Sequence, residues 1–190
     1  MFQRKTALAA MLAVASLGLA ACSADTNDPD APATQASSRT LAAMIGDDGG
    51  FSVVSKTMTD SGLADVFDGN AAYTIFLPTD EAFEAAEDGA GDMAEGEVTA
   101  TRVAILRDHI VTGAFTPQDI LAAIDSAESG SVTMATMGDQ ELTFTRNGDT
   151  ITIASSDGST TEVSGETMQA TNGVAIPVDA VLKETEPQTG

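Results

Sequence analysis

The chain has 190 residues, and 29 aspartates and glutamates against eight lysines and arginines give a formal net charge of −21 at pH 7. Such a surface repels phosphate backbones and anionic lipid head groups, so nucleic acid is excluded as an expected partner. The single histidine and single cysteine exclude an intrachain disulfide and leave no set of dedicated ligands for a zinc site. We interpret the acidity as favouring solubility rather than as a specific cation-binding feature.

The first 21 residues predict export. Arg4 and Lys5 precede an almost wholly apolar stretch, residues 6–21, that is too short and too rich in alanine for a membrane span. Its end, Leu19-Ala20-Ala21-Cys22, resembles the lipobox of bacterial lipoproteins. The resemblance implies that residues 1–21 are a lipoprotein signal peptide and that Cys22 is lipidated and becomes the first mature residue. An unmodified Cys22 is the alternative.

Residues 22–37 predict a disordered tether, because they contain almost nothing that could be buried in a core. Ser23 follows Cys22 where an Asp would retain the protein at the inner membrane, and by resemblance to the enteric sorting rule this favours the outer membrane, on its periplasmic or external side. Residues 38–184 have the length of one domain with one core, and residues 185–190 predict a disordered tail.

Helical patterns fill the first part of this domain. A short helix is expected over residues 38–45, ended by Gly46. A second is expected over residues 51–58, ended by Gly62, and one further turn over residues 63–67.

The next segment predicts a strand that leads directly into a helix. Four of the five residues from Tyr73 to Leu77 are β-branched or aromatic, which favours a buried strand. Pro78 has no N–H for a sheet, so the strand is expected to end before it. Thr79 or Asp80 can then accept the unpaired amides at the start of a helix.

Two phenylalanines of this segment are expected in the core: Phe76 in the strand and Phe83 on the apolar face of the helix. An acidic, glycine-rich loop follows at residues 89–96, and helical spacing resumes over residues 98–107.

The second half of the domain changes to strands. Thr116, Pro117 and Asp119 have the spacing of a capped helix start, and that helix is expected to end near Ala127. Period-two alternation and Asn-Gly or Asp-Gly turns then predict hairpins with strands at residues 132–136, 141–145 and 150–154. Helices followed by hairpins indicate an α+β fold.

Three segments resemble, in order, the signature boxes of the fasciclin domain, an extracellular adhesion and interaction module: residues 73–83, 105–113 and 172–182. The resemblance covers residues 38–184 and implies a β-wedge with helices packed along one side. It also implies a structural network formed by Thr79, Asp80, His109 and Asn172. Asp108 stands where the family usually has a Tyr, which weakens the transfer of a receptor-binding aromatic–His pair to this chain.

The resemblance implies that His109 belongs to a buried hydrogen-bond network, so we expect its imidazole to be neutral. Asp108 is expected to point to the opposite side, into solvent, because side chains alternate along a strand.

The chain offers little for catalysis. Any Ser-His-Asp or Cys-His site must use His109, yet there is no Gly-x-Ser-x-Gly segment and Cys22 lies in the predicted anchor. We therefore predict no catalytic residues, no metal site and no cofactor.

The expected function is a non-catalytic interaction or adhesion module whose partner is another protein or an envelope or matrix polymer. Contact with the membrane is expected through the lipid anchor only. The alternative, implied by some fasciclin-domain proteins, is a binding protein for an apolar small molecule such as a carotenoid, held in a seam lined by Met and Leu.

Overall fold

The computed structural model describes residues 38–69, 71–90 and 100–182, with the side chains of residues 87–90 left out. The predicted signal peptide, Cys22, the tether, most of the acidic loop and the tail lie outside the described residues.

The described chain contains six helices and eight strands. The helices are α1 (Leu41–Asp47), α2 (Ser52–Asp60), α3 (Leu63–Phe67), α4 (Asp80–Ala90), α5 (Ala100–Asp108) and α6 (Pro117–Ser126). The strands are β1 (Tyr73–Pro78), β2 (Ile110–Thr112), β3 (Ser131–Ala135), β4 (Glu141–Asn147), β5 (Thr150–Ser155), β6 (Thr160–Glu162), β7 (Met168–Ala170) and β8 (Gly173–Val178).

The strands form two sheets of four, in the orders β2-β1-β8-β7 and β3-β4-β5-β6. The pair β1–β8 is parallel, in register from Tyr73 opposite Gly173 to Pro78 opposite Val178, and the other pairs are antiparallel. Single bridges, Val111 to Thr136 and Val163 to Val178, join one sheet to the other. The first and last strands of the described chain are therefore neighbours in the same sheet.

Strand β1 separates two buried clusters. Ile75 and Leu77 point into a cluster shared with helices α1 to α5, whereas Phe76 points into a cluster shared with β4, β5, β8 and α6. Because both faces of β1 are covered, its sequence is apolar without interruption from Ile75 to Pro78 rather than alternating.

Most elements lie where the sequence places them, with differences at their ends. Strand β1 includes Pro78, because the hydrogen bond to the Val178 carbonyl is donated by the Thr79 N–H at 3.4 Å and needs no proton on proline. Helix α1 begins after Thr40 and continues through Gly46 to Asp47. Strands β6 and β7 were not predicted, since three residues are too few to show alternation.

The predicted start of α6 has the geometry of a capping box. Thr116 Oγ1 accepts from the Asp119 N–H at 3.2 Å, and Asp119 Oδ2 accepts from the Thr116 N–H at 2.9 Å. The Thr116 hydroxyl, which donates to Asp119 Oδ2 at 2.6 Å, and the Thr116 N–H lower the pKa of the exposed Asp119 carboxyl below its usual value.

The two phenylalanines of the first box test this packing. Phe76 is 0% exposed, with its ring centroid 5.1 Å from that of Phe144, and Phe83 is 3% exposed. We expect Phe76→Ala and Phe83→Ala each to lower the free energy of unfolding by about 3–5 kcal/mol in urea titrations. Val66→Ala is the control, because Val66 is 38% exposed and should change stability by about 0.5 kcal/mol or less. A loss below about 1 kcal/mol at both phenylalanines would contradict the assigned core.

Candidate functional site

Asp80 is the first residue of α4, but its carboxylate caps a different helix. Oδ2 accepts from the Ser52 N–H at 3.0 Å and from the Ser52 hydroxyl at 2.6 Å, and Oδ1 accepts from the Val53 N–H at 2.9 Å. Ser52 and Val53 begin α2, whose own N-cap, Phe51, supplies no acceptor. The carboxylate therefore satisfies free amides and faces the positive end of α2.

Thr79 caps the helix that follows it. Its Oγ1 accepts from the Ala82 N–H at 3.1 Å, in the first turn of α4. The two capping candidates thus have separate tasks: Thr79 caps its own helix, and Asp80 caps α2.

His109 lies between α5 and β2 and is 0% exposed. Nδ1 is 2.8 Å from the Ile105 carbonyl oxygen, and Nε2 is 2.9 Å from the Leu182 amide nitrogen. A carbonyl only accepts and an amide only donates, so Nδ1 carries the proton and the ring is neutral. The His109 carbonyl in turn accepts from the Phe76 N–H of β1 at 2.9 Å.

Burial lowers the pKa of His109 from 6.5 to about 4, because the desolvated cation is disfavoured. The Ile105 carbonyl and the charge of Asp157 act in the opposite direction and are weaker.

The expectation of a solvated Asp108 is wrong. Asp108 is 4% exposed and is the last residue of α5, so alternation along a strand does not apply to it. Its Oδ1 accepts from the Asp139 N–H at 3.1 Å. The loop at Gly138 packs so closely that a Cβ there would lie 1.9 Å from this oxygen, which explains why a glycine stands beside the carboxylate.

Asn172 joins three elements at the start of β1. Its Oδ1 accepts from the Leu41 N–H at 2.9 Å, and its Nδ2 donates to the Phe67 carbonyl and to the Gly69 carbonyl, the latter at 3.3 Å. Its own carbonyl accepts from the Tyr73 N–H at 3.2 Å. The side chain, 7% exposed, therefore fixes α1, the end of α3 and β1.

A groove opens where the parallel strands β1 and β8 end. It has a volume of about 520 Å³, and four separate segments line it: residues 48–51, residues 79–81, residues 164–166 with Met168, and Pro177. We call it the strand-end groove. Sequence reasoning missed it, because only the fold brings these segments together. The one sequence signal was the acidic pair Asp80-Glu81 directly after a strand.

The described residues hold neither a cluster of metal ligands nor a membrane-spanning helix. No three or more His, Cys, Asp or Glu residues are grouped there in a way that could hold a metal ion. No helix in this part of the chain has the length and apolarity needed to cross a membrane.

A family model described as the fasciclin domain matches residues 49–184, more than half of the chain. The chain belongs to the fasciclin domain family. This family is associated with adhesion and protein-interaction modules, and its α+β fold, predicted from the sequence, is confirmed.

A solved structure, described as a FAS1 domain pair from the insect cell adhesion molecule Fasciclin I, is similar at a TM-score of 0.64 and 22% identity. The match covers 77% of this chain and 51% of that chain, so this protein spans about half the length of the pair. At this identity the likeness shows the fold alone. No curated protein matches.

The predicted network residues of this fasciclin domain do not converge on one site. Asn172 lies at the start of β1, the His109 carbonyl bonds to its middle, and Asp80 follows its end. Each bonds mainly to backbone groups of neighbouring elements. The arrangement can hold the fold together, and it leaves neither ring nitrogen of His109 free to transfer a proton.

Protonation of His109 should destabilise the fasciclin domain. The unfolded chain, with a histidine pKa near 6.5, binds the proton more tightly than the folded chain, with a pKa of about 4. Stability from this residue is therefore complete above pH 6.5 and is lost as the pH falls toward 4, by about 3 kcal/mol in all.

The measurement compares wild type with His109→Gln in urea titrations from pH 7.5 to pH 4. At pH 7.5 the variant should be less stable by about 1–3 kcal/mol, because buried partners lose their hydrogen bonds. This difference should shrink as the pH falls, since carboxylates common to both proteins cancel. Parallel stability curves would contradict the assignment.

Proposed function

We propose that this chain is a non-catalytic interaction module, held at the cell envelope by a lipidated Cys22, whose partner is another protein or an envelope or matrix polymer. The non-catalytic part of this proposal is supported by the burial and hydrogen bonding of His109. The only histidine is fully buried, and both of its ring nitrogens are occupied by the Ile105 carbonyl and the Leu182 amide. Imidazole-based acid–base or nucleophilic catalysis has no accessible group here.

Membership of the fasciclin domain family supports the interaction part, because the family is associated with adhesion and protein-interaction modules. The strand-end groove does not suit a long apolar ligand, since carboxylates stand at its rim. We therefore place a macromolecular partner before the carotenoid-like alternative, which a visible absorption band in protein from the native organism would favour.

The proposed anchor rests on the sequence of the leader and on Cys22. Cys22→Ala should move the protein from the detergent-extracted membrane fraction to the soluble exported fraction, because no acyl chains are then attached. Its urea midpoint should match that of the non-lipidated wild-type domain, since the first buried residue of the described chain is Leu41. Persistent membrane association of the variant would show that the lipobox interpretation is wrong.

The interaction itself is tested by crosslinking on intact cells. The wild-type protein should capture a defined envelope, matrix or host component. A control chain with residues 1–37 fused to an unrelated soluble domain should not capture it. The same components on both chains would contradict the proposal.

The role of His109 is tested in the same experiment. His109→Gln, in its folded fraction, should still capture the component, because this imidazole is buried. A variant of wild-type stability that captures nothing would instead place His109 in the binding surface.

A further inference from the structure

The floor of the strand-end groove is apolar. It is lined by Phe51, Met168 and Pro177. Phe51 is 7% exposed and also belongs to the buried cluster that β1 shares with helices α1 to α5. Gly165 approaches the floor with φ +69°, and a Cβ there would meet Pro177 at 3.5 Å. A second cavity of about 410 Å³ shares Met168 with the groove and extends toward Met44. The two cavities therefore adjoin at Met168.

The four carboxylates around this floor differ in whether they have a hydrogen-bond partner among the described residues. Asp48 and Asp80 are engaged by the protein itself: Asp48 Oδ1 accepts from the Gly50 N–H at 2.9 Å, and Asp80 caps α2. Glu81 and Glu166 are exposed, and within the described part of the chain neither has a hydrogen bond or an ion pair. They come from α4 and from the loop before β7, so two separate segments supply negative charge to one rim.

Helix N-termini at the groove would by themselves favour an anion. The start of α2 is already neutralised, because Asp80 occupies the Ser52 and Val53 amides. Thr79 occupies the Ala82 amide of α4. What remains for a ligand is an apolar floor with two carboxylates that have no partner among the described residues, and this combination selects a cation that carries an aliphatic stem.

We propose that the strand-end groove binds an arginine or lysine side chain presented by an extended segment of the partner protein. The methylene stem lies along Phe51, Met168 and Pro177, and the cationic head is held by Glu81 and Glu166. Long basic side chains bury their stems on apolar surface while keeping the charge at a polar rim, and charge-assisted hydrogen bonds to carboxylates are among the stronger ones. This proposal rests on the proposed interaction function and specifies its partner as a basic protein segment.

A bare metal ion fits the groove poorly. Calcium takes six to eight oxygen ligands in a compact shell, whereas no group of three or more acidic, His or Cys residues among those described is placed to hold a metal. The apolar floor would also contribute nothing to such an ion.

The test uses the mature exported chain with Cys22→Ala and a defined probe, acetyl-Leu-Arg-Leu-amide. Amide chemical shifts are followed by NMR as the peptide is added. We expect the shifts to concentrate at Phe51, Glu81, Gly165 and Met168. The same peptide with citrulline in place of arginine keeps the shape but loses the charge, and it should bind about fivefold or more weakly.

Matched variants separate the groove from the general acidity of the protein. The double variant Glu81→Gln/Glu166→Gln should weaken peptide binding about fivefold or more. Glu128→Gln/Glu141→Gln removes two equally exposed charges outside the groove and should leave binding unchanged. Equal weakening by both pairs, or shifts spread over the acidic surface, would reduce the effect to general attraction and overturn the proposal.

Two further outcomes would overturn it. Spermidine that binds as tightly as the peptide and shifts the same amides would show that the protein segment contributes nothing. An absence of groove shifts at millimolar peptide would show that the groove does not bind a basic side chain. In either case, crosslinking on intact cells shows whether the proposed interaction function also fails. If Glu81→Gln/Glu166→Gln still captures the component, the interaction takes place at another surface. If the wild type captures nothing, the interaction function itself is wrong.

Discussion

Strand β1 constrains the rest of this fold, because both of its faces and both of its edges are covered. Ile75 and Leu77 pack against the helices, and Phe76 packs between the sheets. Strands β2 and β8 occupy its two edges. A register shift of one residue would exchange the two faces and place each side chain in the wrong cluster, so the pairing has one favourable solution. The helical layer and the second sheet are both positioned against this strand.

Polar groups then fix the elements around β1; Asn172 and His109 are buried, and Asp80 is partly exposed. At the start of β1, Asn172 bonds to α1 and α3, and in the middle of β1 the His109 carbonyl accepts from the Phe76 N–H. Beyond the end of β1, Asp80 accepts from the first amide of α2. These side chains bond mainly to backbone groups, and the positions of backbone groups change little when neighbouring side chains are replaced. Loss of the Asn172 or His109 side chain leaves buried amides or carbonyls without a partner, which costs more than the net gain from an ordinary hydrogen bond. These ties therefore specify one arrangement of elements rather than adding to the core as apolar contacts do.

The sequence predicted the features that depend on near neighbours. The capping box of Thr116 and Asp119, the strand from Tyr73 and the Asn147-Gly148 hairpin follow from residues a few positions apart. It could not predict that β1 and β8 pair in parallel, since about 100 residues separate them. The burial of Asp108 was missed because Asp108 ends α5 instead of lying in a strand, and because its partner, the Asp139 amide, lies in a distant loop. The strand-end groove is a product of four such separate segments, so local pattern alone could not reveal it.

The bonding of the buried polar side chains bears on where a partner could bind. The buried side chains of His109 and Asn172 are committed to backbone partners, so the proposed recognition depends on side chains at the ends of the rigid elements. Glu81 follows the end of β1, and Glu166 lies in a loop tied to β8 through the Ser164 N–H and the Pro177 carbonyl at 2.8 Å. Both carboxylates are thus attached to the most constrained strand pair in the molecule. A charge held by a rigid support loses less conformational entropy on binding than one on a free loop, so modest contacts there yield more net affinity. In the proposed interaction, the constraint that fixes the core therefore also positions the rim of the groove.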